Sequence, residues 1–278
     1  MTAVLAADRL SYSYPGAPPV FSELSLEVTQ GTSLAVLGPN GGGKTTLLRL
    51  LCGGLRPMAG TVLLRGRPLS YGRVALAEFR TQVQFVHQDP DDQLFAATVR
   101  QDVSFGPLNL GLPPEAAAAR VTSALEDMEI LPLADQPTHL LSFGQRKRVA
   151  IAGALALRPV VLILDEPTAG LDPAGTEALL TTLERLRAGG TTIIVSTHDV
   201  DFAHRWADDA AIIARGTLHA GPADTLLTDS ALLRGASLRP AWGPAVGRVL
   251  RALGGLPAAA PDPRSPEEVL ALEPEPRP

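Results

Sequence analysis

The chain has 278 residues, of which 45% are hydrophobic and 19% are charged, and this balance is typical of a globular protein that buries a sizeable core. Its net charge of −5 argues against bare nucleic acid as the main partner, because binding phosphates requires a basic face. Cys52 is the single cysteine, so the sequence excludes an intrachain disulfide and a zinc cluster of cysteines and favours a reducing cytoplasm.

Hydrophobic stretches in the sequence are short. The longest continuous runs, such as 160–164, fall far below the roughly 20 residues that a helix needs to span a bilayer. The N-terminus has no basic start, and its apolar run at 3–7 is followed directly by Asp8 and Arg9. We therefore predict neither a membrane-spanning segment nor a secretory signal.

The first third of the chain is predicted to be rich in strands. Apolar residues in alternation or in short runs mark the strands 10–14, 20–28, 33–37, 61–64 and 82–86. Pro15 and Gly16 supply a turn between the first two strands. The strand at 33–37 runs straight into a cluster of glycines, and a helix is predicted after it at 45–51.

The region 89–156 has a different pattern. Val121, Leu125 and Met128 follow the i, i+4, i+7 spacing of one helix face. The helices predicted in this region are 113–128 and 143–157. We therefore expect a mostly helical insert between two parts of the chain that contain strands.

Alternation of strands and helices returns after the insert. Residues 160–164 are fully apolar, which indicates a buried strand. Asp172 is predicted to cap the next helix, with Pro173 at its first position. Further strands are predicted at 192–195 and 210–213. Because strands and helices alternate, we predict an α/β fold with a mainly parallel sheet covered by helices.

The pattern weakens beyond Pro222. One amphipathic helix is predicted from the apolar residues Trp242, Val246, Val249, Leu250 and Leu253. The last stretch, 257–278, is rich in Pro, Ala and Glu, and this composition predicts flexibility.

The glycine cluster matches a phosphate-binding pattern. Residues 38–45, Gly-Pro-Asn-Gly-Gly-Gly-Lys-Thr, fit the Walker A pattern G-x-x-x-x-G-K-[ST]. Glycines let successive backbone N–H groups point at an anion, and the following helix adds its positive N-terminus. We expect Lys44 to reach the β- and γ-phosphates and the Thr45 hydroxyl to coordinate Mg²⁺. The predicted nucleotide-binding residues are Gly38, Pro39, Asn40, Gly41, Gly42, Gly43, Lys44, Thr45 and Thr46.

Two carboxylates follow the buried strand at 160–164. Since ligands bind beyond the carboxyl ends of parallel strands, Asp165 is expected to hold Mg²⁺ directly or through water. Glu166 is expected to orient or deprotonate an attacking water. Among the 24 Lys and Arg residues only Lys44 and Lys147 are lysine, either by chance or because arginine does not suffice at these positions.

Several motifs, in order along the chain, resemble those of the ATP-binding-cassette (ABC) ATPases. Residues 141–150, Leu-Ser-Phe-Gly-Gln-Arg-Lys-Arg-Val-Ala, resemble the signature motif of that family. Gln88 resembles the Q-loop glutamine, residues 169–172 resemble the D-loop, and His198 resembles the switch histidine. Tyr14 lies where the family has an aromatic residue that stacks on adenine, with an ordinary strand aromatic as the alternative.

This resemblance covers about 3–225 and implies a P-loop NTPase with a mainly parallel RecA-like sheet, an antiparallel β subdomain and a helical insert. It implies ATP and Mg²⁺ as cofactors, with Gln88 and His198 joining Glu166 as catalytic residues. Gln88 is also an expected Mg²⁺ ligand. We expect an ATP-binding core at 1–88 and 157–225, a helical signature subdomain at 89–156 and a partly flexible C-terminal extension at 226–278.

The signature motif implies a second anion site. Ser142 is predicted to cap the helix that follows, which leaves free N–H groups in its first turn. The residues expected to contact the γ-phosphate are Ser142, Phe143, Gly144 and Gln145. The resemblance implies two subunits packed head to tail, as a homodimer or as a heterodimer with a related ATPase. Phe143 stands where the commonest motif has glycine, so we expect the backbone contact to persist and the packing at the dimer seam to change.

Two segments, 88–95 and 102–109, resemble the ATPases of energy-coupling-factor importers, especially those of cobalt and nickel uptake. The resemblance implies a peripheral ATP-hydrolysing subunit at the cytoplasmic side of the cell membrane, bound to transmembrane subunits and not to nucleic acid. The alternatives are the ATPase of another ABC transporter, such as a vitamin importer, an amino-acid importer or an exporter, and a non-transport ABC ATPase. A single cassette without a coiled-coil insert argues against the last.

Overall fold

The computed structural model describes residues 3–214 and 216–272 and contains two β-sheets with helices packed around them. The strands are β1 (Ala3–Ser13), β2 (Pro19–Thr29), β3 (Ser33–Leu37), β4 (Ala59–Leu64), β5 (Arg67–Pro68), β6 (Val83–Val86), β7 (Val161–Asp165), β8 (Thr192–Thr197), β9 (Asp209–Ala214) and β10 (Thr217–Pro222). The helices are α1 (Lys44–Leu51), α2 (Arg73–Gln82), α3 (Val99–Asn109), α4 (Pro114–Asp127), α5 (Phe143–Leu155), α6 (Pro173–Ala188), α7 (Val200–Trp206), α8 (Ala223–Leu226), α9 (Ser230–Gly235), α10 (Trp242–Ala252) and α11 (Pro266–Leu270). Within these residues no helix has the length and apolar character to cross a membrane.

The larger sheet has the strand order β10-β9-β3-β8-β7-β6 and is parallel except for β10 at its edge. Its central strands β3, β7 and β8 are buried along their whole length. Successive side chains point to opposite faces of the sheet, so neighbours such as Leu162 and Ile163 enter different hydrophobic cores. Burial on both faces explains why these strands are continuous apolar runs, and it confirms the predicted α/β fold.

The smaller sheet is antiparallel, with the order β2-β1-β4-β5. Its inward residues, including Leu5, Leu10 and Phe21, share one core with Leu47 and Leu50 of α1. The sheet therefore covers the face of the central sheet on which α1 lies. Its presence confirms the antiparallel β subdomain.

Several boundaries differ from the sequence prediction. The chain at 73–82 forms α2, so the strand predicted at 82–86 begins only at Val83. Phe79 is the one buried residue of α2, and the short apolar face of this helix was not recognised in the sequence. Tyr14 was placed at the end of a strand but follows the last residue of β1.

The predicted amphipathic helix is present as α10, but its apolar stripe packs only in part: Trp242, Val246 and Leu250 are half-buried. Val249 and Leu253 are exposed, whereas Gly243 and Gly247 are buried against residues 262–263. A Cβ on Gly243 would lie only 2.0 Å from the Pro263 backbone carbonyl oxygen, so only glycine permits this approach. Residues 273–278 of the tail predicted to be flexible lie outside the described residues.

A β-bulge between β1 and β4 depends on Gly60. Asp8 pairs with Thr61 and Ser11 with Ala59, so two residues of β1 face Gly60 alone. Gly60 has a φ of 81°, and a Cβ there would lie 2.2 Å from the Arg9 carbonyl oxygen.

We predict that Gly60→Ala lowers the free energy of unfolding by about 2 kcal/mol or more, because the new methyl group must displace backbone in a strained position. Denaturant unfolding measures this loss. Gly153→Ala is the matched control: Gly153 lies in α5 with open space around it, so alanine should be neutral or stabilise by up to about 1 kcal/mol. Equal stability of the two variants would contradict the bulge argument.

Candidate active site

The glycine-rich loop connects β3 to α1, as the Walker A pattern predicts. Gly41 and Gly43 have φ values of 74° and 100°, a region that other residues rarely adopt. A Cβ on Gly43 would lie 2.7 Å from Phe21 Cζ. Gly43 also caps α1 without a side-chain hydrogen bond, so N–H groups of the first turn remain available to an anion.

Lys44 is the first residue of α1, and its side chain is buried. The ammonium donates a hydrogen bond to the Gly38 carbonyl oxygen at 2.9 Å and lies 3.3 Å from Glu166 Oε1. A buried ammonium needs such partners, because desolvation of an unpaired charge is costly. The loop therefore holds a preformed cation for phosphate oxygens.

Asp165 ends β7 as a buried carboxylate bonded by two hydroxyl groups. Thr45 Oγ1 donates to Asp165 Oδ2 at 2.7 Å, and the Ser196 hydroxyl donates to Oδ1. Mg²⁺ prefers hard oxygen ligands of this kind. The pairing of Thr45 with Asp165 next to the glycine-rich loop fits the metal that accompanies ATP.

Glu166 follows Asp165 with its backbone in the left-handed region, at a φ of 43°. Such a conformation is uncommon for a residue other than glycine and costs energy. Its N–H donates to Ser196 Oγ at 2.9 Å, and its Oε2 lies 3.0 Å from His198 Nδ1. The carboxylate is thus buried and held between Lys44 and His198, and the backbone that carries it is strained.

One cavity of about 530 Å³ brings most of the predicted nucleotide site together. Its lining includes Tyr14, Pro39, Asn40, Gly41, Gly43, Lys44, Thr45, Thr46, Gln88, Glu166 and His198. The Tyr14 hydroxyl lies 3.1 Å from Thr46 Oγ1, which places the ring at this cavity rather than in a core. Gly38, Gly42 and Asp165 are not among the lining residues; Asp165 reaches the site through Thr45.

The predicted signature residues lie elsewhere. Ser142, Phe143, Gly144 and Gln145 line a second cavity of about 620 Å³, and within the described ranges the two cavities have no lining residue in common. Ser142 caps α5 as predicted, since its Oγ accepts from Gln145 N at 3.3 Å while Gln145 Oε1 accepts from Ser142 N at 2.8 Å. The structure therefore places the two predicted anion-binding turns of one chain at separate cavities.

Lys147 is a residue near the site to which sequence analysis gave no role. Its side chain is buried, and Nζ donates to the carbonyl oxygens of Glu166 at 3.3 Å and of Ala169 at 3.0 Å. Desolvation lowers the pKa of Lys147 to about 8, against the opposing effect of the carboxylates of Asp89, Glu166 and Asp165. The scarcity of lysine in the chain was the signal that pointed to it.

Comparison with known proteins gives four informative similarities. The profile of the family described as ABC transporter matches residues 21–169. The cobalt import ATP-binding protein CbiO of Rhodobacter capsulatus is 56% identical over 86% of this chain and 86% of its own length. The structure of CbiO1 from Clostridium perfringens, described as part of the ABC transporter complex CbiONQ, is 38% identical with a TM-score of 0.78 over 90% of this chain and all of that one. The dimeric structure of the ATP-binding cassette MJ0796 with ADP and phosphate is 25% identical with a TM-score of 0.71, over 79% of this chain and 98% of that one.

The lowered pKa of Lys147 predicts a pH-dependent contribution to stability. Between about pH 8 and 10.5 the unfolded chain keeps the proton on Lys147 whereas the folded chain loses it, so this residue makes stability rise with pH. We expect the unfolding free energy of the wild type to gain on that of Lys147→Met as pH rises from 7 to 9.5. Denaturant melts of both proteins measure the difference, and a difference that does not change with pH would contradict the assignment.

Proposed function

Because the chain belongs to the ABC transporter family and is an ATPase of that family, we propose that it is the ATP-hydrolysing subunit of an energy-coupling-factor importer. Its similarity to a protein named for cobalt import and to a member of the CbiONQ complex supports this importer type. For the cargo we propose cobalt or nickel ions. The sequence similarity in 88–95 and 102–109 favours these over the other cargoes.

The observation that carries the catalytic proposal is the meeting of Lys44, Glu166 and His198 at one cavity. When ATP binds, the Lys44 ammonium leaves the Glu166 carboxylate and pairs with the β- and γ-phosphate oxygens instead. Glu166 is then free to accept a proton from the attacking water, while His198 holds the carboxylate through Nδ1. Thr45, Asp165 and Gln88 would hold Mg²⁺, which would supply positive charge to the phosphates.

A complete site in this proposal requires two chains. The signature residues line a cavity apart from the nucleotide cavity, so the γ-phosphate must be closed by the first turn of α5 from a second subunit. Each chain carries both halves, which makes a homodimer with two competent sites possible, and a heterodimer with a related ATPase satisfies the same geometry. The dimeric state of MJ0796 supports this arrangement.

A patch of exposed aromatic residues provides a surface for the membrane subunits. Phe95 and Phe105 are 64% and 52% exposed, and their rings contact edge to face with centroids 4.7 Å apart. The buried Asp102 fixes this loop, because its Oδ2 accepts hydrogen bonds from the N–H groups of Phe95 and Ala96 at 2.9 Å. Exposed apolar patches of this kind mark interaction sites, and Leu108 extends this one.

The patch lies in the region 89–156, which follows Gln88 directly along the chain, and Gln88 lines the nucleotide cavity. In this proposal, movement at the nucleotide reaches the docking surface through that connection. We propose that 89–156 is a helical signature subdomain, that 1–88 with 157–225 is the ATP-binding core, and that 226–278 is an extension of it. The subunit is peripheral at the cytoplasmic face of the membrane in this proposal.

Glu166→Gln tests the catalytic role. The amide keeps the shape of the side chain but cannot accept the proton, so we expect turnover to fall by roughly 100-fold or more while ATP binding persists and the ATP-bound dimer accumulates. ATP turnover and the dimer fraction with ATP and Mg²⁺ measure both effects. Retained wild-type turnover would remove Glu166 as the base.

The importer proposal is tested by affinity purification from detergent-solubilised membranes of the native host, with tagged Glu166→Gln, ATP and Mg²⁺. We expect mass spectrometry to identify transmembrane subunits that bind cobalt or nickel. Phe105→Asp should lose these partners, whereas Val249→Asp, an exposed apolar residue on α10, serves as the matched control and should keep them. Recovery of ribosomal or DNA-bound proteins instead would overturn the proposal.

A further inference from the structure

Lys147 lies in the signature helix but contacts the catalytic loop. It is the fifth residue of α5, and only 2% of its surface is exposed. Its ammonium donates to the backbone carbonyl oxygens of Glu166 and Ala169. Burying a cation costs free energy, and an apolar side chain could fill the same space without that cost. The hydrogen bonds from Lys147 to two carbonyl groups of one loop therefore indicate a role beyond packing.

The loop that Lys147 holds carries the strained residue of the active site. Glu166 has a φ of 43°, and its carbonyl oxygen accepts from Ala169 N at 3.1 Å as well as from Lys147 Nζ. Strained backbone persists only where its surroundings over-determine it. On the other side Ser196 holds the Glu166 N–H, so Lys147 and Ser196 fix the two peptide groups that flank the catalytic side chain.

The Phe143 ring packs on both Lys147 and the loop that Lys147 contacts. Its ring centroid is 5.2 Å from Lys147 Nζ, and its edge packs so closely on Gly170 that a Cβ there would lie 2.7 Å from Phe143 Cε1. The ring therefore contacts the loop beyond Ala169 and stabilises the ammonium through its face. The phenylalanine that departs from the common signature motif thus packs within its own chain.

We propose that Lys147 is a positioning residue for ATP hydrolysis: from the signature helix it holds the Glu166–Gly170 backbone, and so aims the Glu166 carboxylate. The inference rests on the proposed role of Glu166 as the base. Ser142 and Gln145 lie on the same first turns of α5, and they close on the nucleotide of the other subunit. In this proposal, α5 therefore links the nucleotide bound by the other subunit to the position of Glu166 in its own chain.

Lys147→Met in the full-length protein tests the proposal. Methionine has a similar length, and removal of a costly buried charge offsets the loss of the two hydrogen bonds to the loop, so the protein should stay folded with a similar melting temperature. We expect kcat to fall about tenfold or more, because a loop that is no longer held misplaces the carboxylate. The KM for ATP should change less than about twofold, because phosphate binding by the Walker A loop is left intact.

Leu155→Met is the matched control, since Leu155 is buried in the same helix, lines neither of the two cavities, and is replaced by a side chain of nearly equal volume. It should keep wild-type kcat. A Lys147→Met variant that unfolds would overturn the proposal, because the lysine would then be needed for folding alone. A variant that keeps wild-type kcat would also overturn it, because the lysine would then not position Glu166. If Glu166→Gln retained turnover, the failure would lie instead in the proposed function.

Discussion

The active site depends on the parallel pairing of β3, β8 and β7. Parallel strands end at the same edge of a sheet, so the loops that leave these three strands are forced together. The register pairs Leu37 with Thr197 and Asp165 with Ser196. These pairs bring Lys44 to the same cavity as Glu166 and His198, although Lys44 lies more than a hundred residues before them in the chain. The concentration of charge is tolerable because the Lys44 ammonium lies 3.3 Å from the Glu166 carboxylate, while the Asp165 carboxylate accepts hydrogen bonds from two hydroxyl groups.

Much of this edge could be predicted from sequence because it obeys local rules. A strand buried on both faces must be apolar, and a phosphate loop must be glycine-rich, so β3, β7, Gly43 and Lys44 follow from the chain alone. α2 was missed because its apolar face is short, with Phe79 as its one buried residue, and it lies directly before a strand. The packing of Gly243 and Gly247 beneath residues 262–263 was missed for another reason: a close approach of backbone to glycine depends on a distant segment and leaves no periodic signal.

The separation of the two anion-binding turns has its origin in the position of α5. This helix begins with a capping box that uses the side chains of Ser142 and Gln145 on its own backbone, which fixes the helix start and leaves N–H groups of the first turn directed outward. The cavity at this turn is bounded by Gly170 and α6 rather than by the Walker A loop. Under the proposed function, closing the phosphate from both sides within one chain would require moving α5 away from the loop that it contacts, which is why we propose assembly from two chains.

The choice of lysine over arginine follows from the same packing. Lys44 and Lys147 are both buried, and each ammonium meets two backbone carbonyl oxygens, at Gly38 and Pro39 in one case and at Glu166 and Ala169 in the other. An ammonium is compact and has three N–H donors, so two carbonyl groups and one further partner can satisfy it. The third partner of Lys44 is the Glu166 carboxylate, and that of Lys147 is the Phe143 ring. A guanidinium is planar, carries five donors and stays charged, so it would leave donors unpaired in the same space. A chain that otherwise uses arginine therefore keeps lysine at the two positions where a small buried cation must organise a loop around phosphate chemistry.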